Sequence, residues 1–147
     1  MKFSCSVKIN LPLEKVIELF DNPDNMKHWQ DGFLSFEHLS GEAGQPGAKS
    51  RIMYNMNGRK MELIETITKR DLPNELSGIY VHKHMTNSMV NTFVSLSKDK
   101  TQWDATIHYT QLNGFMIKMM AFLMPGMFKK QTQKWLNQFK EFAENVA

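Results

Sequence analysis

The chain has 147 residues, enough for one hydrophobic core but not two, and its 41% hydrophobic content excludes a disordered protein. A net charge of +3 without arginine-rich patches argues against nucleic-acid binding, and the single cysteine, Cys5, excludes an internal disulfide. We therefore expect a single domain over residues 1–147. Because the N-terminus lacks a continuous apolar run, we expect no signal peptide and hence a cytoplasmic location. We also expect a monomer or homodimer.

The first predicted elements are a strand and two short helices. Apolar and polar residues alternate over residues 2–9, which predicts a strand with one buried face. Pro12 fits the first turn of a helix, and the apolar residues between 13 and 20 follow at helical spacing. Asn22 before Pro23 is a second helix start, with the asparagine as N-cap.

Residues 32–112 predict a meander of six antiparallel strands. Glycine, proline and asparagine separate apolar-rich runs near 33–40, 48–57, 59–69, 76–85, 87–96 and 102–112. Asn57 and Gly58 predict a type I′ hairpin turn, which needs positive φ at both central positions. The register that follows pairs Met56 with Arg59, Tyr54 with Met61, Ile52 with Leu63 and Ser50 with Glu65. It places the Glu65 carboxylate on the otherwise apolar inner face.

The chain ends with a long predicted helix preceded by a methionine-rich segment. Apolar residues recur at helical spacing after Gly126, whereas Pro125 and Gly126 separate that helix from an apolar lead-in over 115–124, either a short helix or a loop. The apolar run over 115–128 is too short to span a bilayer, so we expect no stable membrane insertion. Five methionines crowd this region: Met116, Met119, Met120, Met124 and Met127. They would pack in a core, line a pocket, or contact a membrane or partner.

Several segments resemble the polyketide cyclase/START-like (SRPBCC) superfamily. The stretch VIELFDNPDNMKHW, from Val16 to Trp29, resembles its entry signature, and GQPGAKSR, then MELIETI and Leu72–Pro73, resemble its middle. The resemblance implies an α+β helix-grip fold, in which a seven-stranded curved antiparallel sheet wraps around the long C-terminal helix, with two short helices after the first strand. It also implies a cavity between sheet and helix that holds lipids, hormones or polyketides in different members. It carries no shared catalytic motif.

The candidate ligand-binding residues lie on the expected inner face and in the lead-in and final helix. They are Ile52, Tyr54, Met61, Leu63, Glu65, Tyr80, Trp103, Ile107, Tyr109, Met116, Met119, Met120, Leu123, Met127 and Trp135. Glu65 is also the one candidate catalytic residue, as an acid or base with a pKa raised by apolar surroundings. The alternative is that strand twist lets Glu65 reach water or a basic neighbour.

Other reactive residues favour structural roles. His82 and His84 share a strand face, but no third ligand is evident, so we expect neither a metal nor a cofactor. Cys5 lies on the apolar side of its strand and behaves as a small hydrophobic residue. A five-residue loop over 97–101 would turn Met89, Asn91 and Phe93 to the same side as Trp103, whereas a shorter turn would reverse that orientation. In the first case Asn91 supplies a polar group to the pocket or satisfies a neighbouring side chain.

Three functional hypotheses remain. The first is binding, for transport or sequestration, of a small hydrophobic ligand such as a lipid, quinone or polyketide-like aromatic, oriented by Glu65, Tyr54 or Tyr109. The second is a cyclase- or hydratase-like enzyme that uses Glu65. The third is a membrane- or protein-docking module formed by residues 115–130. A non-enzymatic binding protein is the favoured reading of the three.

Overall fold

The structure, a computed structural model that describes residues 1–147, is a seven-stranded antiparallel sheet with a long C-terminal helix. Every strand after the first pairs with its neighbour in the chain, and the first pairs with the last, in the order β1-β7-β6-β5-β4-β3-β2. The elements are β1 (Lys2–Ile9), α1 (Leu13–Phe20), a 3₁₀ turn (Pro23–Asn25), α2 (Met26–Trp29), β2 (Phe33–Ser40), β3 (Lys49–Met56), β4 (Arg59–Asp71), β5 (Glu75–His82), β6 (Met85–Ser97), β7 (Lys100–Leu112), α3 (Phe115–Leu123) and α4 (Gly126–Val146). The predicted helix-grip fold is confirmed.

The hairpin turn between β3 and β4 has the predicted register. Asn57 and Gly58 both have positive φ, 55° and 83°, as a type I′ turn requires. The pairing of Ser50 with Glu65 across the two strands follows from it. Because side chains alternate along a strand, this register alone decides which residues face the helix.

The turn between β6 and β7 differs from the prediction. It contains residues 98 and 99 alone, whereas a five-residue loop over 97–101 was expected. A shift in register between Ser95 and Ser97 absorbs the shortening, so Phe93 still pairs with Trp103 and Asn91 with Ala105. The predicted orientation of these residues is therefore correct although the predicted loop length was wrong.

An aromatic core fills the end of the grip next to α1 and α2. Helix α4 contributes Phe139, which is fully buried and packs on Trp103 with ring centroids 5.4 Å apart. Phe20 of α1 packs edge-on against both rings, at 5.1 Å from Trp103 and 5.8 Å from Phe139. Asn91 Oδ1 accepts a 2.9 Å hydrogen bond from Trp103 Nε1, so the buried indole is satisfied. Buried side chains fill this end of the concave face.

The methionine-rich lead-in forms helix α3, which buries no residue. It is not closely packed on any strand or helix. Pro125 separates it from α4, since a proline stops the preceding helix from continuing. The alternative in which its methionines fill a core is therefore wrong. No helix combines the length and apolar character needed to cross a bilayer.

Candidate functional site

The concave face of the sheet is filled at one end and open at the other. Inward-facing residues near α1 and α2, such as Phe93 and Trp103, are at most 2% exposed. Toward α3, inward-facing Met61, Leu63 and Met89 are half-buried. Helix α4 packs most closely on β1 and α2, and its backbone lies farther from the middle strands. The space between α4 and strands β3 to β6 at the α3 end, which we call the open half of the grip, is the candidate binding site.

Glu65 lies on the inner face of β4 between Ser50 of β3 and Tyr80 of β5. The Tyr80 hydroxyl donates a 2.8 Å hydrogen bond to Glu65 Oε2. Burial raises the pKa of Glu65, and the Tyr80 hydrogen bond only partly offsets this effect. Burial and the charge of Glu65 likewise raise the pKa of Tyr80. Since both partners are acidic groups, the pair can hold or exchange a proton.

No basic side chain compensates Glu65. The guanidinium on the same side of the sheet, Arg70, donates to both carboxylate oxygens of Asp21 and to the Gly44 carbonyl. The hydrogen-bond partner of the Glu65 carboxylate is the neutral Tyr80 hydroxyl. The alternative in which Glu65 reaches a basic neighbour is therefore wrong.

We expect Glu65→Gln to raise the free energy of unfolding at alkaline but not at acidic pH. The raised folded-state pKa means that the folded protein binds more protons than the unfolded chain, so native stability falls as pH rises through that pKa. Glutamine does not titrate and still accepts from Tyr80. Urea denaturation at about pH 4, 6 and 8 measures the difference. The exposed Glu42→Gln is the control, and a Glu65→Gln effect that is the same at every pH would contradict a raised pKa.

The helix wall of the open half is anchored by two aromatic contacts. Trp135 of α4 stacks on Tyr54 of β3 with ring centroids 5.3 Å apart and planes inclined by 27°. About two helical turns earlier, Phe128 packs on Tyr109 of β7 at 5.0 Å. Tyr54 in turn donates a 2.7 Å hydrogen bond to Gln30 Oε1, and its burial raises its pKa. The start of α4 therefore crosses from β7 to β3 above the open half.

Sequence reasoning missed two residues of this site. Gln131 lies three residues after Phe128 and four before Trp135, on the face that meets the sheet, and its Nε2 is buried without a hydrogen-bond partner. The sequence signal that could have identified Gln131 is its position as a polar residue within the predicted apolar stripe of the helix. Gly78 is buried beside Tyr80, and a Cβ there would lie 3.1 Å from the Thr66 carbonyl oxygen and 3.5 Å from the Tyr80 hydroxyl. The missing side chain therefore allows the close approach of the Thr66 backbone next to the tyrosine.

Most of the predicted ligand-binding residues lie on the inner face or on the facing side of α4. These are Ile52, Tyr54, Met61, Leu63, Glu65, Tyr80, Ile107, Tyr109 and Trp135. Trp103 instead belongs to the filled aromatic core. Met119 and Met120 are half-buried on α3, whereas Met116, Leu123 and Met127 are exposed. Apart from Lys118, every residue of α3 is apolar, and only one side of the helix can face the grip.

Helix α3 also exposes a large apolar surface. Phe115 and Phe122 are 77% and 84% exposed, and Met116, Leu123 and Met124 extend the same surface. Lys118, Lys129 and Lys130 flank it and are exposed too. We call this surface, formed by residues 115–130, the α3 patch. Exposed apolar patches of this kind mark contact surfaces more often than they mark ordinary solvent-facing helices.

The remaining candidate groups form no reactive site. His82 and His84 have ring centroids 5.8 Å apart, and the His84 backbone N–H donates to His82 Nδ1 at 3.2 Å. No group of three or more histidine, cysteine, aspartate or glutamate side chains is placed to hold a metal ion. Cys5 is buried, and burial raises the pKa of its thiol, so it is not an activated nucleophile.

An open groove of about 530 Å³ lies between α2 and the last turns of α4. Most of its lining is polar, and it includes His28, Gln138 and Phe142. Its lining residues Gln30 and Phe33 contact Tyr54, but the groove includes neither Glu65 nor Tyr80. Because it is broadly exposed to solvent, it has the character of a surface depression and not of an enclosed binding site.

Comparison with known proteins shows the fold. No protein-family model matches the chain, and no curated protein matches it. Among solved structures, the chain is similar to a START superfamily protein from Mycobacterium smegmatis, at 16% identity and a TM-score of 0.75, covering 99% of each chain. It is also similar to the ZhuI aromatase/cyclase from Streptomyces sp. R1128, at 11% identity and a TM-score of 0.81, covering 98% of this chain and 93% of that one.

A third similar structure is the protein TTHA0849 from Thermus thermophilus, at 15% identity and a TM-score of 0.82, covering 100% of this chain and 99% of that one. The resemblance to the START-like (SRPBCC) superfamily is therefore confirmed at the level of the fold. At such identities the likeness extends to architecture alone, and function must be argued from the site.

Proposed function

We propose that the protein binds, for transport or sequestration, a small hydrophobic molecule such as a lipid, quinone or polyketide-like aromatic in the open half of the grip. The observation that carries the proposal is the difference between the two ends of the concave face. One end is filled by aromatic side chains, whereas the other leaves Met61, Leu63 and Met89 half-buried beneath α4. Transfer of an apolar molecule onto these residues contributes about 25 cal/mol per Å² of apolar surface removed from water.

The polar groups of the open half suit a ligand with one polar end. Glu65 and Tyr80 form a hydrogen-bonded pair on the floor, flanked by Ser50 and Asn87, and Tyr109 lies at the β7 side. Burial raises the pKa of Tyr109 to about 12, so its hydroxyl remains a neutral donor at physiological pH. Few polar groups among many apolar ones is the usual composition of a small-molecule site.

Native mass spectrometry after mild purification tests the proposal. We expect a one-to-one adduct that is released by organic extraction and regained on incubation with a medium-chain ester or a quinone. The proposal would be contradicted if the spectra showed the mass of the protein without any adduct, both after mild purification and after incubation.

A second candidate function is cyclase- or hydratase-like catalysis, favoured by one observation, the raised pKa of Glu65 within its bond to Tyr80. A carboxyl group whose pKa is raised is a stronger base when ionised and keeps its proton to a higher pH than an exposed glutamate does. One of the structures with this fold is named an aromatase/cyclase, which supports the same candidate. The pH series on Glu65→Gln described above decides it, because an ordinary pKa for Glu65 would remove the only available acid or base.

The α3 patch favours an additional role in docking to an anionic bilayer. Its exposed Phe115 and Phe122 match the acyl region of a membrane, and Lys118, Lys129 and Lys130 match anionic headgroups. We expect the protein to sediment with vesicles containing about 30% phosphatidylserine, less at high salt, and not with phosphatidylcholine vesicles. Phe122→Ser should weaken sedimentation, whereas Leu34→Ser, an exposed apolar residue on β2, should not. Failure to sediment at low salt would contradict docking.

A further inference from the structure

We infer that the ligand is an uncharged apolar molecule bearing a hydrogen-bond acceptor, such as an ester, ketone or quinone carbonyl, and not the anion of a fatty acid. The inference rests on the proposed function and narrows its ligand class. It follows from two features of the open half, the hydrogen-bond donors on the wall formed by α4 and the distribution of charge around it.

Two buried donors on α4 have no partner. They are Nε2 of Gln131 and Nε1 of Trp135, four residues apart and hence neighbours on one face of the helix. The contacts of Phe128 with Tyr109 and of Trp135 with Tyr54 orient this face toward the sheet. A buried N–H group without an acceptor is unfavourable in a native protein, so such groups usually bond to protein, water or ligand. Two adjacent donors without acceptors, on the side of α4 that meets the sheet, suit a carbonyl oxygen.

The sheet side of the open half is complementary to the helix side. The Tyr80 hydroxyl is already engaged with Glu65 Oε2, so the floor presents a carboxyl group and no free donor from this pair. Apart from the Tyr109 hydroxyl at the β7 side, the groups that would satisfy a ligand acceptor are therefore the donors of α4. Its apolar part would then lie over Leu63 and Met61, which are half-buried on the same floor.

No positively charged side chain is buried in the open half, since Arg59, which shares the inner-face parity of Met61 beside the hairpin turn, is exposed. The lysines of α3 and α4 are exposed or engaged elsewhere: Lys118, Lys129 and Lys130 are exposed, Lys134 binds Asp31, and Lys140 binds Glu144. Arg70 is held by Asp21. A fatty-acid carboxylate would therefore enter a site without a counter-ion and next to a second carboxyl group, Glu65. Burial of an unpaired charge is strongly disfavoured.

Displacement of the neutral dye Nile red by three ligands of matched chain length tests the inference. The ligands are methyl laurate, which carries a carbonyl acceptor, laurate, which is an anion, and dodecane, which has neither feature. We expect methyl laurate to bind about tenfold more tightly than either of the others, the difference that one hydrogen-bonded acceptor typically makes. Laurate binding as tightly as the ester, or dodecane binding as tightly as the ester, would overturn the inference and leave the proposed function intact.

Variants assign the preference to the two donors. Trp135→Phe keeps a ring above Tyr54 but removes the indole N–H, and Gln131→Leu removes the amide. Each variant should reduce the preference for methyl laurate over dodecane without lowering the affinity for dodecane. Gln133→Leu is the matched control, because Gln133 lies on another side of α4 and bonds the Ser6 carbonyl. An unchanged preference in Trp135→Phe would overturn the assignment. If none of the three ligands displaces Nile red, the proposed function and this inference fail together.

Discussion

Replacement of Phe139 by alanine is expected to lower the free energy of unfolding by about 3–5 kcal/mol, the usual cost of removing a buried phenylalanine ring. Phe139 is fully buried, and its ring centroid lies 5.2 Å from that of Trp29 and 5.4 Å from that of Trp103. Its removal leaves a cavity where α4 meets the sheet. Urea denaturation followed by circular dichroism measures the loss.

Phe122→Ala is the matched control for this change. The same ring is removed from α3, where Phe122 is 84% exposed, and the free energy of unfolding should change by less than about 0.5 kcal/mol. Comparable losses in the two variants would show that α3 packs in a core. The contrast therefore tests the separate placement of α3 and α4.

Leu63→Trp is expected to reduce the affinity for methyl laurate by at least about tenfold, or about 1.4 kcal/mol. Leu63 is half-buried on the floor of the open half, opposite Ile52. An indole at this position occupies the space that the ligand needs. Because the larger side chain enters an incompletely filled region, the variant should lose less stability than overpacking of a tight core costs, which is about 1–3 kcal/mol. Nile red displacement and urea denaturation measure the two effects.

Ile64→Trp provides the control for the binding effect. Ile64 is the next residue of β4, so its side chain lies on the outer face between Arg51 and Val81. The affinity for methyl laurate should remain that of the native protein. Equal weakening by both tryptophans, or by neither, would place the ligand outside the open half.

The strand arrangement could be predicted from sequence because its signals are local. Alternation of apolar and polar residues identified the strands, and the Asn57–Gly58 turn set the pairing of Ser50 with Glu65 before any tertiary contact was known. The burial and hydrogen bonding of Glu65 depend on Tyr80, fifteen residues away on the next strand. A partner of that kind cannot be derived from the alternation within one strand.

The part of the site formed by helices was harder to predict. Helix α3 is apolar except for Lys118, so its sequence contains no alternation of apolar and polar faces that indicates which residues face the grip. The position at which α4 crosses the sheet encloses Trp103 beneath Phe139 and leaves Leu63 half-buried. No local sequence signal indicates that position. The lining of a cavity is thus set by packing between elements distant in the chain.

The indole N–H signals of the three tryptophans test the central claim most directly, because each tryptophan reports a different region. Trp135 faces the open half, Trp103 lies in the filled core, and Trp29 borders the groove between α2 and α4. On titration of the ¹⁵N-labelled protein with methyl laurate, the Trp135 indole resonance should shift and the other two should remain in place. A shift of Trp29 alone, or no shift at saturating ligand, would contradict binding in the open half of the grip.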